Sequence, residues 1–150
     1  MRRYNHSVEP AILQPYEMGL RILATLEEAG SEAIAAMLNT VTTPADDVGQ
    51  VHIYAKALRD LLEHELIYLR LEAMWPVGDL PLTHAETMDL LAQLHTTMRI
   101  DAQSSMWRHG TENWRTERSL MIHRTPAGLE RARQVLTKRG YEWWKPHSIR

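Results

Sequence analysis

Histidine and carboxylate side chains are the groups that most often carry chemistry. This chain has eight His, and two of them, His64 and His84, stand next to or two residues from a Glu. Glu63-His64-Glu65 lacks the second His that a zinc-protease helix needs four residues away. His84-x-Glu86 lacks the Cys pair of a zinc deaminase, and its two residues also suit the first turn of a helix. We therefore predict no metal site.

Motifs for nucleophilic or phosphate chemistry are also missing from the sequence. Ser104, Ser105 and Ser119 are not part of a nucleophile elbow, and the glycines are isolated, so no Gly-rich phosphate loop exists. The absence of Cys excludes thiolate ligands and disulfides and fits a reducing compartment. The sequence predicts a cytoplasmic protein without catalytic residues, cofactor or membrane span.

Charge is distributed unevenly along the chain. Residues 1–98 contain six Lys or Arg against fourteen Asp or Glu, whereas residues 99–150 contain eleven against five. A basic end on an acidic body favours a polyanion or an acidic protein as partner for that end. The alternatives are contact between the acidic and basic faces of two subunits, or a basic helix that is simply solvated.

Aromatic residues are interleaved with the arginines of the basic end. Trp107 and Trp114 could stack on bases while neighbouring guanidinium groups bind phosphates. The alternative is that these rings help to fill a core that contains no Phe. On the first interpretation, the predicted nucleic-acid-binding residues are Arg108, Arg115, Arg118, Arg124, Arg131 and Lys138.

The clearest start and stop signals lie near the C-terminus. Thr125 can cap a helix, Pro126 suits its first position, and Gly140 can end it. These signals predict a helix over residues 126–139, with Leu129, Ala132 and Leu136 on one face. Residues 120–124 are β-compatible and predict a short strand that leads directly into this helix.

The first half of the chain predicts three helices. One runs over residues 16–29 and stops at Gly30, and a second begins at Ser31. The third follows Thr43-Pro44 and has a seam of apolar residues three and four positions apart, which predicts a core or dimer helix. The seam residues are Val48, Val51, Ala55, Leu58 and Leu62.

The middle of the chain is less regular. Residues 66–73 alternate between apolar and polar, which favours a strand, although continuation of the preceding helix is the alternative. Residues 80–82 predict a short strand, and Thr83 with Glu86 forms a capping box. The helix that follows is predicted to carry Met88, Leu91, Leu94 and Met98 toward the core, and residues 99–117 predict a loop or hairpin.

The strand, Thr-Pro-Ala-Gly turn and helix around Thr125 resemble the end of a winged-helix domain of the MarR or PadR type. There the last wing strand enters a Leu-Thr-x-x-Gly turn and then a dimerisation helix. The order of the earlier elements is similar to the same family, as is the phrase Ala57 to Ile67, ALRDLLEHELI. The resemblance implies a mainly α fold with a winged-helix-like domain, one or two short β-hairpins and a C-terminal helix.

The same resemblance implies a domain organisation and a function. Residues 1–15 would form an arm, residues 16–98 the acidic winged-helix-like domain, and residues 99–150 the basic segment. A transcriptional regulator that binds duplex DNA as a homodimer is implied, with a wing near Gly78 or Gly110 and dimer contacts through residues 126–139 or the apolar seam.

The helix that would read DNA offers Lys56 and Arg59 as its cations. Its first turn is acidic, which weakens its attraction to phosphates. The alternative function is therefore a small protein-binding adaptor or inhibitor. Its acidic surface would engage a nucleic-acid-binding protein through Asp46, Asp47, Asp60, Glu63 and Glu65.

Overall fold

The computed structural model describes residues 13–42, 49–73, 80–110 and 119–145. Within these ranges the protein is mainly helical, with small antiparallel sheets, which confirms the predicted fold class at this level. Its helices are α1 (Pro15–Ala29), α2 (Ile34–Val41), α3 (Gly49–Glu63), α4 (His84–Ala92), α5 (Leu94–Thr97) and α6 (Pro126–Arg139). Its strands are β1 (Ser31–Ala33), β2 (Ile67–Glu72), β3 (Leu80–Pro81), β4 (Met98–Asp101), β5 (Met106–His109) and β6 (Ser119–Arg124).

The larger sheet joins elements that are distant in sequence. Its strand order is β1-β6-β2-β3, and every pairing is antiparallel. β6 pairs with β1 through Ala33 and Met121, and with β2 along its whole length from Ser119 to Arg124. Residues 119–124 thereby form a central strand of a sheet whose other strands lie between residues 31 and 81.

One hydrophobic core is shared by α1, α2, α3 and the inner face of this sheet. Met18, Ile22, Tyr54 and Leu120 are among its fully buried side chains. The hydroxyl of Tyr54 donates a 2.6 Å hydrogen bond to the backbone carbonyl of Ile34, which satisfies its only buried polar group. The core therefore fixes α3 against the start of α2.

Several predicted elements are confirmed. α1, β6 and α6 agree with their predicted ranges, and residues 67–72 are a strand rather than a continuation of α3. The capping box at Thr83 is present in full, with hydrogen bonds of 2.9 and 3.1 Å to and from Glu86. The predicted helix entry at Thr43-Pro44 lies outside the described residues.

Two predictions about the elements were wrong in part. Ser31 does not begin a helix, because residues 31–33 pair with β6 and α2 starts only at Ile34. α4 ends at Ala92, a separate turn follows, and Met98 begins β4 instead of extending the helix. Local helix propensity is overridden at both places by pairing with another strand.

The apolar seam predicted for α3 is rotated from the face that α3 actually buries. The buried residues are Val51, Tyr54, Ala57, Leu58 and Leu61, whereas Ala55 and Leu62 are only half-buried. Tyr54 lies outside the predicted seam, yet its side chain is fully buried in the core. The buried face is therefore used within the chain, and Val48 lies outside the described residues.

The turn before α6 is fixed by close contact with the start of β2. The hydroxyl of Thr125 donates to the carbonyl of Glu65 at 2.7 Å and accepts from the amide of Gly128 at 2.9 Å. A Cβ atom on Gly128 would lie 2.0 Å from the carbonyl oxygen of Leu66. The Thr-x-x-Gly spacing is therefore required by packing, since only glycine permits this approach.

Candidate nucleic-acid interface

The outer face of α3 carries four side chains at helical spacing. His52, Lys56, Arg59 and Glu63 recur three or four residues apart, opposite the buried face described above. His52, Lys56 and Glu63 are exposed and Arg59 is half-buried. Lys56 Nζ lies 3.3 Å from Asp60 Oδ1 in an exposed pair, which holds little energy and can exchange for other partners. The centre of this face is thus basic.

A stacked histidine pair joins α3 to the insertion between β3 and β6. The rings of His52 and His95 are 5.3 Å apart at an interplanar angle of 25°. His95 belongs to α5, which continues directly into β4. The outer face of α3 and the β4-β5 hairpin are therefore connected through this contact.

The basic residues of α6 mostly face acidic or hydroxyl groups of α1. Arg139 forms two hydrogen bonds with the carboxylate of Glu17, at 2.8 and 3.2 Å, which raise the pKa of Arg139. Arg131 donates to the hydroxyl of Tyr16 at 3.1 Å, and Arg133 lies 4.0 Å from Glu27. The acidic and basic parts of the sequence thus meet within one chain.

Arg124 is placed inside the fold. Its Nη1 atom donates to the backbone carbonyls of Leu26 and Glu27, at 2.7 and 2.6 Å, at the end of α1. The carbonyl of Leu26 also accepts from the amide of Gly30 at 2.8 Å. Carbonyls in the last turn of a helix lack their full set of amide partners, so a guanidinium there adds a donor and complements the helix dipole. Arg21 does the same for α2 by donating to Val41 at 2.9 Å, and burial lowers the pKa of Arg21.

The remaining predicted nucleic-acid-binding residues are scattered. Lys138 is exposed on α6, and Arg108 is exposed on β5, where its Nε atom lies 3.3 Å from Asp101. α6 packs against α1 and β6, whereas β5 packs against α2. Arg115 and Arg118 lie outside the described residues. The described residues of this set are therefore divided between separate elements.

The acidic residues predicted to bind a protein lie near the C-terminal end of α3. Asp60 pairs with Lys56, and Glu63 and Glu65 are exposed just beyond it. Glu65 has a positive φ of 58°, which places it in the sharp turn from α3 into β2. Asp46 and Asp47, which would form the acidic first turn, lie outside the described residues.

Trp107 and Trp143 have structural positions. Trp107 is 3% exposed and belongs to the core, as the packing interpretation of this residue predicted. Trp143 lies under the guanidinium of Arg139, 4.7 Å from its ring centroid, and meets Trp144 edge to face. Trp114 lies outside the described residues.

The β4-β5 hairpin has one buried and one exposed face. Met98, Trp107 and His109 point into the protein and are at most 5% exposed. Burial lowers the pKa of His109 to about 4, so the imidazole is neutral at physiological pH. Asn39 of α2 holds the hairpin by donating to the carbonyl of Trp107 at 3.1 Å and accepting from its amide at 2.8 Å.

An apolar cavity of about 440 Å³ lies between α1, α3 and the start of β2. Leu20, Leu23 and Leu61 are among its apolar lining residues, and Arg131 and His64 also line it. No three metal-binding side chains converge in the parts of the chain that the structure describes. Across the same ranges, no helix has the length and apolar character needed to cross a membrane.

Comparison with known proteins gave no match, whether with family models, curated proteins or solved structures. The site must therefore be argued from this chain alone. Sequence reasoning noted Lys56 and Arg59 but missed the stripe that they form with His52, because the face of α3 was assigned one position out. It also missed Arg99, whose partner across the hairpin could have been found from the period-two alternation of MRID and MWRH.

Proposed function

We propose that this chain is a winged helix-turn-helix protein that binds duplex DNA and regulates transcription. The observation that carries the proposal is the path of the chain after α3. β2 follows α3, pairs with β6, and β6 enters α6 through the glycine-dependent turn at Thr125. This is the strand, Thr-x-x-Gly and helix unit that the sequence resembles. α2 and α3 would then be the helix-turn-helix pair.

The outer face of α3 is the proposed groove-reading surface. Lys56 and Arg59 are suited to guanine edges or phosphate oxygens, and His52 can donate or accept beside them. The buried face of α3 packs in the core, which fixes the orientation of the helix that carries these side chains. Arg131 and Lys138 of α6 remain a second predicted contact surface, on the far element of the fold.

Self-association is part of the proposal. The apolar residues in the described part of α3 are buried in the core or packed against it, so this helix offers little apolar surface to a second copy. α6 therefore becomes the proposed dimer element. Sedimentation of the full chain over a range of concentrations would test this, and a monomer at every concentration would contradict it.

The binding experiment uses a labelled generic duplex and the full chain at low and at physiological salt. We expect binding that weakens steeply with salt, since phosphate contacts release counterions. Replacing Lys56 and Arg59 with Ala should weaken binding about tenfold or more. The matched control replaces Arg131 and Lys138 with Ala, which removes equal charge from α6.

Each outcome of this comparison has a distinct meaning. Loss of binding in the α3 variant alone supports the proposed surface. Loss in the α6 variant alone would move the DNA contact to the C-terminal helix and contradict the assignment to α3. An absence of binding by the wild-type chain at low salt would reject DNA binding and favour the protein-binding alternative. Neutralising Glu63 and Glu65 would then test that alternative.

A further inference from the structure

The exposed face of the β4-β5 hairpin carries two arginines directly opposite each other. Arg99 and Arg108 are Cα partners in the antiparallel register, so their side chains leave the same face. Both are exposed. Like charges at such a position destabilise a two-stranded ribbon, which has little stability of its own. The pair is therefore unfavourable for folding and requires another explanation.

The nearest carboxylate compensates only one of the two arginines. Asp101 Oδ2 lies 3.3 Å from Arg108 Nε, while Asp101 Oδ1 accepts a 2.9 Å hydrogen bond from the amide of Gln103 in the turn. These contacts, first that with Gln103, lower the pKa of Asp101. Of the residues that the structure describes, none places a carboxylate within ion-pair distance of Arg99. The exposed face retains a net positive charge.

The backbone beneath the arginines is held firmly by the rest of the protein. The inner side chains of the hairpin are buried in the core, and Asn39 bonds both polar backbone groups of Trp107. The amide of Gly110 donates to the carbonyl of Thr97 at 2.8 Å and closes the far end of the hairpin. Two guanidinium groups thus project from a fixed base, which lowers the ordering cost of binding an anion.

A polar cavity of about 370 Å³ lies beside the pair. Its walls include Arg99, Asp101, Arg108 and Gly110. This space is sufficient for a tetrahedral oxyanion, and paired guanidinium forks match phosphate oxygens well. The hairpin is also joined to the outer face of α3, because His95 stacks on His52 and lies four residues before Arg99.

We propose that Arg99 and Arg108 form a phosphate site that holds the backbone of the nucleic acid beside α3. This inference rests on the proposed function, which it extends by a second contact surface. The phosphodiester would replace the like-charge repulsion of the empty pair with two charge-assisted interactions. Free inorganic phosphate has the same chemistry, so the test separates the two sources.

The first measurement is the thermal midpoint of the wild-type chain, of Arg99→Gln and of Arg108→Gln in chloride and in inorganic phosphate at equal ionic strength. Phosphate should raise the wild-type midpoint by about 3 °C and leave both variants unchanged. In chloride, Arg99→Gln should melt at or above the wild-type temperature, because it removes repulsion. Arg133→Gln on α6 is the matched control and should keep the full phosphate response.

The second measurement is the salt dependence of duplex binding. The Arg99→Gln/Arg108→Gln variant should reduce the slope of log K against log salt by about 2, while Asp101→Asn should strengthen binding. If the arginine variant kept the wild-type slope while the α3 variant lost duplex binding, the phosphate site would be overturned. The proposal that α3 binds DNA would be unaffected. A phosphate response without duplex binding would instead reject the proposed function and assign the site to free phosphate. Equal phosphate responses in wild type and both arginine variants would overturn the site itself.

Discussion

The two basic regions of this molecule differ in what their cations face. On β6 and α6, Arg124, Arg131 and Arg139 bond to carbonyl, hydroxyl or carboxylate groups of α1. On α3 and the hairpin, Lys56 pairs with Asp60 four residues away and Arg108 with Asp101 seven residues away, and both carboxylates are partly exposed. The C-terminal region therefore uses its charge to assemble the fold, whereas the α3 side retains charge for a ligand.

This difference shows why a count of charges along a sequence is a poor guide to a binding surface. The excess of Lys and Arg after residue 98 suggests a polyanion-binding segment. Much of that excess is matched by Glu17 and Glu27 and by the carbonyls at the end of α1. The surface available to a partner depends on which charges the fold has already engaged.

The largest expected effect comes from the turn that fixes the structural region. Gly128→Ala should lower the free energy of unfolding by about 3 kcal/mol, because the new Cβ would meet the carbonyl of Leu66 at 2.0 Å. Gly19→Ala is the matched helical control. Its Cβ would lie 3.6 Å from Leu61, so the change should stabilise α1 by up to about 1 kcal/mol. Urea denaturation measures both, and equal effects would contradict the close approach.

Arg124 tests whether the C-terminal charges are structural. Arg124→Met keeps most of the apolar stem but leaves the carbonyls of Leu26 and Glu27 without this donor, so unfolding should cost about 2–3 kcal/mol less. Lys138→Met removes the same charge from an exposed site and should change stability by less than about 0.5 kcal/mol. If Arg124→Met kept wild-type stability and weakened duplex binding, the division between the two regions would be wrong.

The hairpin should become less stable in acid because of His109. Its folded pKa of about 4 is below the ordinary value of 6.5, so the unfolded chain binds a proton that the folded chain does not. This contribution is complete above pH 6.5 and is lost as pH falls to about 4, a difference of about 2 kcal/mol after solvent screening. His109→Gln should remove that pH dependence from urea midpoints. The exposed His84→Gln control should retain it.

The smallest expected effect concerns the attachment of the hairpin to α2. Asn39→Ala removes two hydrogen bonds to Trp107 and should cost about 1–2 kcal/mol. Hydrogen exchange should quicken at the amides of β4 and β5 more than in β6. Uniform quickening would mean that the hairpin opens only with the whole protein, and that Asn39 does not hold the hairpin independently of the core.

Local signals in the sequence were sufficient where an element depends on its own residues. Thr125, Pro126 and Gly140 specified α6, and Thr83 with Glu86 specified the start of α4, because capping is satisfied within one turn. The period-two alternation of residues 66–73 likewise favoured β2. The candidate surface was found only in part, since Lys56 and Arg59 were recognised without the face that presents them.

The tertiary structure decided everything that depends on contacts between distant residues. Ser31 entered a strand because β6 offers it backbone partners, and the buried face of α3 turned toward Tyr54 because the core is completed by other elements. Local patterns in the amino-acid sequence were enough to predict the helical class, the main helix start signals and the uneven charge. Only the fold decided which arginines cap helices and which face solvent, because long-range packing sets the environment of a charge and sequence neighbours do not.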